Sequence, residues 1–216
     1  MSTQKIKIRK VKMDKWKETE AKLQVADIIL VRRKKIFSRM IRKATGSYWS
    51  HVMIVFSVAD KKINFKNILV VSAETRGIEI HRIQKFSRNL DGDYDFGVKR
   101  FPGLTAEDRQ KVMSYMLNNV DIPYDYLRIF GFMLNYFLNL FKIKKRQKHI
   151  KKYLINKNTF ICSSFIQKAF FAAVPKEKKE AVLFTKNKDF QLVLEEITPA
   201  DIARSNNFEW IYNPHL

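Results

Sequence analysis

Short apolar runs rich in β-branched residues restrict the fold of this chain more than any other feature of its sequence. They fall mainly in the first half, at residues 27–31, 50–56, 68–74 and 78–81, with an alternating segment at 94–98 and a last run at 208–212. Runs of this length and composition are typical of strands. Between the first two, residues 38–44 are expected to form a short basic helix that ends near Gly46.

Helical patterns dominate the second half. Thr105 and Asp108 resemble a capping box with Asp in the usual Glu or Gln place, and apolar residues then follow at helical spacing. Thr198 before Pro199 is typical of an N-cap with proline at the first helical position. Another helix is predicted to begin at Cys162. The order predicts an α+β fold, with an antiparallel sheet packed against the helix that carries Cys162.

The length of the chain, 216 residues, is enough for one domain with a terminal extension. Residues 1–22 are predicted to form a basic N-terminal arm or short helix and residues 23–216 the domain itself. Whether the arm packs on the domain is left open. Because residues 1–22 contain no apolar stretch of the secretory type, the expected location is cytoplasmic, with peripheral membrane contact as a variant.

The charge of the chain is strongly positive. It has 42 Lys and Arg residues against 21 Asp and Glu, a formal net charge of +21. Such a field favours anionic partners, whether nucleic acid, acidic lipid or acidic protein. The aromatic residues lie mostly in apolar runs and do not alternate with lysines, so no specific nucleic-acid partner is expected.

Cys162 is the only cysteine, so the chain has no internal disulfide. A thiol attacks a carbonyl as the thiolate, which the N–H groups and the dipole of a helix N-terminus favour. The strand-like residues 159–161 lead into an apolar helical stripe and predict Cys162 in the first helical turn, where its backbone N–H can face an oxyanion. A small core residue would give the same pattern, so both interpretations stay open.

His51 is the best-placed histidine to act as a base for this thiol. His149 lies in a lysine run, His215 is near the terminus, and His81 falls on the polar side of its strand. Glu74 ends the strand after that of His51 and would be its antiparallel neighbour if the two strands pair directly. A carboxylate there would fix the imidazole tautomer. A structural role for each residue alone fits the pattern equally well.

Several short segments carry a resemblance to a known family: Asp27-Ile28-Ile29-Leu30-Val31, Ile41-Arg42-Lys43-Ala44-Thr45-Gly46-Ser47, Trp49-Ser50-His51-Val52-Met53-Ile54-Val55, Glu74-Thr75-Arg76-Gly77-Ile78, Pro123-Tyr124-Asp125-Tyr126 and Phe160-Ile161-Cys162-Ser163-Ser164. In this order they resemble the signatures of circularly permuted NlpC/P60 proteins, and the YiiX-like branch in particular. The resemblance covers about residues 23–212.

This resemblance implies a papain-like fold in which the histidine and its acidic partner precede the cysteine. It makes Cys162 the nucleophile, His51 the base and Glu74 the orienting carboxylate, and it gives Tyr124 a role in substrate binding. The implied reaction is the cleavage of an amide or ester bond through an acyl-enzyme, by hydrolysis or by transfer to another acceptor, with no cofactor or metal. One departure is Met53, which stands where the family commonly has glycine.

A second departure is the unusually basic segment 142–152, which follows a nearly apolar segment at 126–141. The apolar part is short and interrupted by polar residues, so it is a poor transmembrane span. Residues 126–152 are instead expected to contact an anionic membrane, with lipid as the substrate class. A core or dimer-interface helix with a solvated loop fits as well. The alternative functions are a cell-wall peptide amidase or endopeptidase, and a non-catalytic basic binding module.

Overall fold

The computed structural model of the chain describes residues 3–60, 67–74, 77–87, 94–120, 162–185 and 197–215. The strands are β1 (Ile28–Arg33), β2 (His51–Ser57), β3 (Leu69–Glu74), β4 (Gly77–Arg82), β5 (Tyr94–Arg100) and β6 (Glu209–Tyr212). The helices are α1 (Thr3–Glu20), α2 (Ile36–Thr45), α3 (Gln84–Ser87), α4 (Ala106–Leu117), α5 (Cys162–Ala173) and α6 (Pro199–Arg204), with a short 3-10 helix at Lys176–Lys178.

The described strands form one antiparallel sheet in the order β4-β3-β2-β1-β5-β6. Strands β1 and β2 therefore lie in its centre. Residues 28–31 of β1 are 0% exposed, and Val52, Met53, Ile54 and Val55 of β2 are at most 1% exposed. Their nearly continuous apolar sequence reflects burial on both faces of the sheet. The predicted α+β class with an antiparallel sheet is confirmed.

Helices α4 and α5 cover one face of the sheet. Phe165, Ile166, Ala169 and Phe170 of α5 join Ile28, Leu30, Val52 and Ile54 in one apolar cluster. This stripe on α5 is the predicted one, and the helix begins at Cys162 as predicted. The predicted capping box of α4, at Thr105 and Asp108, is formed. The predicted N-cap of α6 at Thr198 is formed as well, and Asp201 completes a capping box there.

Helix α1 covers the other face. The Trp16 side chain is 1% exposed, and its ring centroid lies 4.7 Å from that of Phe96 and 6.3 Å from that of Tyr212. On the same helix, Lys12 forms an ion pair with Asp95 at 3.5 Å. The second half of the predicted basic arm is thus anchored on the sheet, a point that the sequence left open.

Gly97 allows two tryptophans to approach strand β5. A Cβ atom on Gly97 would lie 2.8 Å from the ring of Trp49 and 2.9 Å from that of Trp210, closer than real Cβ contacts occur. Trp49 comes two residues before His51. This close packing therefore helps to position the beginning of β2.

Lys99 is a buried cation at the end of a helix. Its side chain is 1% exposed, and its ammonium donates hydrogen bonds to the carbonyls of Ile202 (3.2 Å), Ala203 (2.9 Å) and Ser205 (2.6 Å) at the end of α6. Burial lowers the pKa of Lys99 to about 8, so it remains largely charged at neutral pH. The ammonium thus supplies donors to carbonyls at the C-terminal end of the helix, where a cation is also favourable.

We expect Lys99→Met to lower the free energy of unfolding by about 2–4 kcal/mol, because it leaves buried carbonyls without donors. Urea denaturation at neutral pH measures the loss. Lys17→Met, at an exposed position of α1, is the matched control and should change stability by less than about 0.5 kcal/mol. Equal effects of the two substitutions would contradict this role for Lys99.

None of the helices in the described ranges is long and apolar enough to cross a membrane. Tyr124 and the segment 126–152, for which the sequence predicted roles in substrate and membrane binding, lie outside the described residues.

Candidate active site

Polar side chains meet at one end of the sheet, where the buried central strands end. Arg33 is the last residue of β1, His51 the first of β2 and Glu74 the last of β3. Antiparallel pairing brings these positions to the same end, with Val31 opposite His51 and Met53 opposite Ser72. The strands of His51 and Glu74 pair directly, as the sequence analysis required.

His51 and Glu74 face each other across this pairing. The distance from His51 Nε2 to Glu74 Oε1 is 3.5 Å. Ser72 lies between them: its Oγ is 2.8 Å from His51 Nε2 and donates a hydrogen bond of 2.8 Å to Glu74 Oε1. Since the Ser72 hydroxyl proton is directed to Glu74, its oxygen accepts from His51 Nε2. The imidazole therefore carries a proton on Nε2.

Arg33 holds the other side of the Glu74 carboxylate. Its Nη1 donates to Glu74 Oε2 at 3.0 Å, and its Nη2 donates to Oε1, so the pair is bidentate. The guanidinium carbon lies 5.7 Å from the centroid of the Tyr94 ring and 6.0 Å from that of Phe86. Aromatic rings and a two-point contact fix the plane of the guanidinium, and with it the carboxylate.

Cys162 joins this group as the first residue of α5, the helix that packs with α4 on one face of the sheet. The helix packs against β2 and β3, and the cysteine side chain is buried. Cys162 forms a hydrogen bond with His51. The structure thus brings together the three residues that the sequence and the family resemblance singled out: Cys162, His51 and Glu74.

The charges around His51 favour its protonated form. Burial is the largest influence and lowers the pKa of His51, as does the Arg33 cation. The opposing attraction of the Cys162 thiolate and the hydrogen bonds to Cys162 and Glu74 prevail, so the pKa is raised above its usual value. An imidazolium beside a sulfur atom favours the thiolate.

Glu74 stays ionised at this site. Burial raises the pKa of its carboxyl, but the hydrogen bonds from His51 and Arg33 and the charges of both residues lower it well below the usual range. The Arg33 pKa is raised, because the Glu74 carboxylate outweighs the effect of burial on the guanidinium. The site is therefore a buried cluster of paired charges, each of which needs its partners.

Sequence reasoning did not assign roles to Ser72 and Arg33. Ser72 was recognisable only as a residue on the same strand face as Glu74. Arg33 shares its strand face with Ile29 and Val31, a spacing of two that would have placed it beside His51 once the strand order was known. Its place in the run Arg32-Arg33-Lys34-Lys35 concealed this, because such a run is usually a solvated surface.

The other described histidines have different surroundings. His81 contacts Glu79 at 3.0 Å and the ammonium of Lys85, and the His215 ring packs edge-on against Tyr48. Within the described ranges, no three His, Cys, Asp or Glu side chains come together in a way that could hold a metal ion.

We expect Arg33→Met to lower the free energy of unfolding by about 2–3 kcal/mol at pH 7, because the Glu74 carboxylate loses the guanidinium that pairs with both of its oxygens. Glu74 titrates lower in the folded than in the unfolded chain, so its contribution is complete above about pH 4.5 and disappears as the pH falls. The deficit of the variant should therefore shrink in acid. Urea unfolding between neutral and acidic pH measures it.

The double variant Arg33→Met, Glu74→Gln should lose less stability than the sum of the single losses. Arg39→Met, on the exposed part of α2, is the control for loss of an arginine. Simple additivity in the double variant would show that the two side chains do not stabilise each other.

Comparison with known proteins places the chain in a family. The model of a family described as permuted papain-like amidase enzyme, YaeF/YiiX, C92 family, matches residues 22–135. This match includes His51 and Glu74 and ends before Cys162. No curated protein matches the chain.

The fold is similar to the crystal structure of a protein described as the metalloprotein YiiX from Escherichia coli O157:H7. The TM-score is 0.54 at 18% sequence identity, and the similarity covers 87% of this chain and 95% of that one. At this identity the likeness concerns the fold alone. Since the family model covers more than half of the sequence, this chain belongs to the C92 family of permuted papain-like amidases.

Proposed function

We propose that this chain is a thiol-dependent hydrolase that cleaves an amide or ester bond through Cys162, His51 and Glu74. The observation that supports this most is the hydrogen bond between Cys162, at the start of α5, and His51, whose pKa is raised. Membership of an amidase family supports the same class of reaction. Transfer of the acyl group to an acceptor other than water uses the same chemistry.

In the first half of the proposed reaction, the Cys162 thiolate attacks the carbonyl carbon and forms a carbon–sulfur bond. The carbonyl oxygen becomes an oxyanion, which backbone N–H groups at the start of α5 can stabilise. His51 then gives its proton to the leaving amine or alkoxide as the scissile bond breaks. The acyl group remains on sulfur as a thioester.

In the second half, neutral His51 accepts a proton from water or from another acceptor, which attacks the thioester carbonyl. The tetrahedral intermediate collapses, the carbon–sulfur bond breaks, and the thiolate–imidazolium pair is restored. Because Nε2 of His51 faces Ser72 and Glu74, Nδ1 is the nitrogen that exchanges protons with sulfur and substrate.

Glu74, Ser72 and Arg33 act through His51 in this proposal. The Ser72 oxygen accepts a hydrogen bond from Nε2–H of His51 and so selects the tautomer, while Glu74 stabilises the imidazolium. Arg33 keeps Glu74 ionised and in place. These three are positioning residues, because Ser72 and Glu74 contact the imidazole and Arg33 contacts Glu74.

For the substrate, we propose a lipid or lipid-linked amide or ester, with Tyr124 in the binding pocket. The support is in the sequence: an apolar segment at 126–141 is followed by a basic one at 142–152. The family description as amidases equally favours a second class, cell-wall peptide amides. Matched lipid amides and peptide amides distinguish the two classes by their rates.

The first test is the rate of Cys162 alkylation by iodoacetamide as a function of pH. Free cysteine titrates near about 8.5, and a working pair with His51 shifts the midpoint of the alkylation profile to lower pH. We expect this shift in the wild type and its loss in His51→Ala. His81→Ala, which changes the histidine that pairs with Glu79, should keep the wild-type profile.

An alkylation profile that is the same in the wild type and in His51→Ala would contradict the proposed pair. The chain would then be a non-catalytic relative with a buried thiol, and the binding-module interpretation of its charge would take precedence.

The second test compares site variants on a chromogenic ester. Cys162→Ala should abolish turnover without changing the fold, because it removes only a sulfur atom. Glu74→Gln and Ser72→Ala should each lower kcat by about 10–100-fold. This loss is smaller than that in His51→Ala, since the imidazole remains. Both should shift the lower pH limit of the rate, which a purely structural loss would not. Turnover by Cys162→Ala would disprove the mechanism.

A further inference from the structure

We propose that the N-terminal end of helix α2 is a docking surface for membranes that contain anionic lipid, next to the proposed active site. The occupant is the surface of a lipid bilayer, recognised by apolar side chains flanked by cations. Docking itself needs no thiol; only its consequence, that substrate is presented from the membrane, rests on the proposed function.

Two large apolar side chains are exposed at the start of α2. Ile36 is 78% exposed, the highest value among the exposed large hydrophobic residues of the described chain, and the adjacent Phe37 is 41% exposed. Half-buried Met40 lies on the same side of the helix, four residues after Ile36. Two consecutive large apolar residues in water are costly for a monomer and are typical of a surface that is covered in use.

Cations flank this apolar tip. Lys34 and Lys35 precede the helix, and Arg39 and Lys43 follow Ile36 at spacings of three and seven, which place them along one exposed face. Between Asp27 and Asp60 the sequence contains no acidic residue. The arrangement of apolar side chains beside Lys and Arg is that of segments that lie in the interface of an anionic bilayer.

The cations around α2 are close to one another in the folded structure as well as in the sequence, so the local field is positive. The pKa of Arg42 is lowered, first by burial and next by the charge of Arg32, with Arg39 contributing in the same direction. Arg32 and Arg42 have structural roles, since Arg32 donates to the Tyr48 hydroxyl and Arg42 to the Arg33 carbonyl. Lys35, Arg39 and Lys43 remain exposed and can face lipid headgroups.

The position of α2 ties this surface to the site. The helix connects the end of β1 with the start of β2, so it lies at the same end of the sheet as Arg33 and His51. Arg42 Nη1 holds the Arg33 carbonyl at 2.6 Å, and Arg204 Nη2 holds the carbonyls of Thr45 and Gly46. These contacts tie the C-terminal turn of α2 to the end of β1 and to α6, so the apolar tip projects from an anchored helix.

A bilayer fits these features better than a nucleic acid does. Phosphates would account for the cations, but an exposed isoleucine gains nothing from a solvated phosphate backbone. Insertion of Ile36 and Phe37 among acyl chains removes both from water. Cations and apolar residues then contribute together, which is the pattern of peripheral membrane helices.

The test is co-sedimentation of the full chain with phosphatidylcholine vesicles, with and without phosphatidylserine. The wild type should bind the anionic vesicles, less so at high salt. Arg39→Glu with Lys43→Glu should weaken binding about 30-fold or more, since each cation near an anionic surface contributes about fivefold. Ile36→Ser with Phe37→Ser should weaken it about 100-fold or more, since each buried side chain contributes about 1.5 kcal/mol or more.

Matched controls distinguish an effect of this surface from effects of net charge and of exposed apolar residues elsewhere on the protein. Lys15→Glu with Lys17→Glu makes the same change of net charge on exposed positions of α1, and Leu117→Ser removes a 50% exposed apolar residue from α4. Both should bind like the wild type. Equal unfolding curves confirm that each variant folds.

Cys162→Ala should also bind like the wild type. A wild-type protein that docks but turns over no substrate would contradict the proposed function and leave the docking surface intact. Absence of binding to anionic vesicles, or equal binding by the α2 and the control variants, would overturn the docking proposal. So would binding of an RNA or DNA oligonucleotide that needs Arg39 and Lys43 but not Ile36 and Phe37.

Discussion

Burial of the central strands on both faces is the constraint on which the rest of this structure depends. Residues 28–31 of β1 and 52–55 of β2 are almost completely removed from water, with α4 and α5 on one face and α1 on the other. A polar side chain within these strands would have no solvent and few partners. Polar chemistry is therefore restricted to the strand ends, where Arg33, His51 and Glu74 lie.

At that end of the sheet the charges are arranged so that each compensates another. Glu74 lies between the Arg33 guanidinium and the His51 imidazole, and Ser72 bridges the carboxylate and the ring. Arg33 alone would disfavour a second cation on His51. The carboxylate removes that conflict, so His51 can hold a proton beside the Cys162 sulfur. The cost of burying these groups is offset only while the whole set is present.

The connection between β1 and β2 also gives the same end of the molecule an exposed apolar and basic surface. Arg33 ends β1 inside the charge cluster, and three residues later Ile36 begins α2 in solvent. The basic run therefore spans the cluster and the surface: Arg33 is an internal partner of Glu74, and Lys34 and Lys35, which follow it, are exposed.

Much of the fold could be predicted because it depends on local patterns. Apolar β-branched runs specified the strands, Thr105 with Asp108 and Thr198 with Pro199 specified two helix starts, and a single cysteine before an apolar stripe specified the start of α5. Even the face shared by His51, Met53 and Val55 follows from the period of two along a strand.

For the site, the sequence alone determined the residue types that can perform acyl transfer, and resemblance to a family indicated that Cys162, His51 and Glu74 act together. Only the tertiary structure decided that Ser72 lies between His51 and Glu74, that Arg33 clamps the carboxylate, and that Trp16 is anchored under the sheet. The physical reason is that these contacts depend on strand order, register and helix placement. Those are properties of long-range packing, which residues far apart in the sequence determine together.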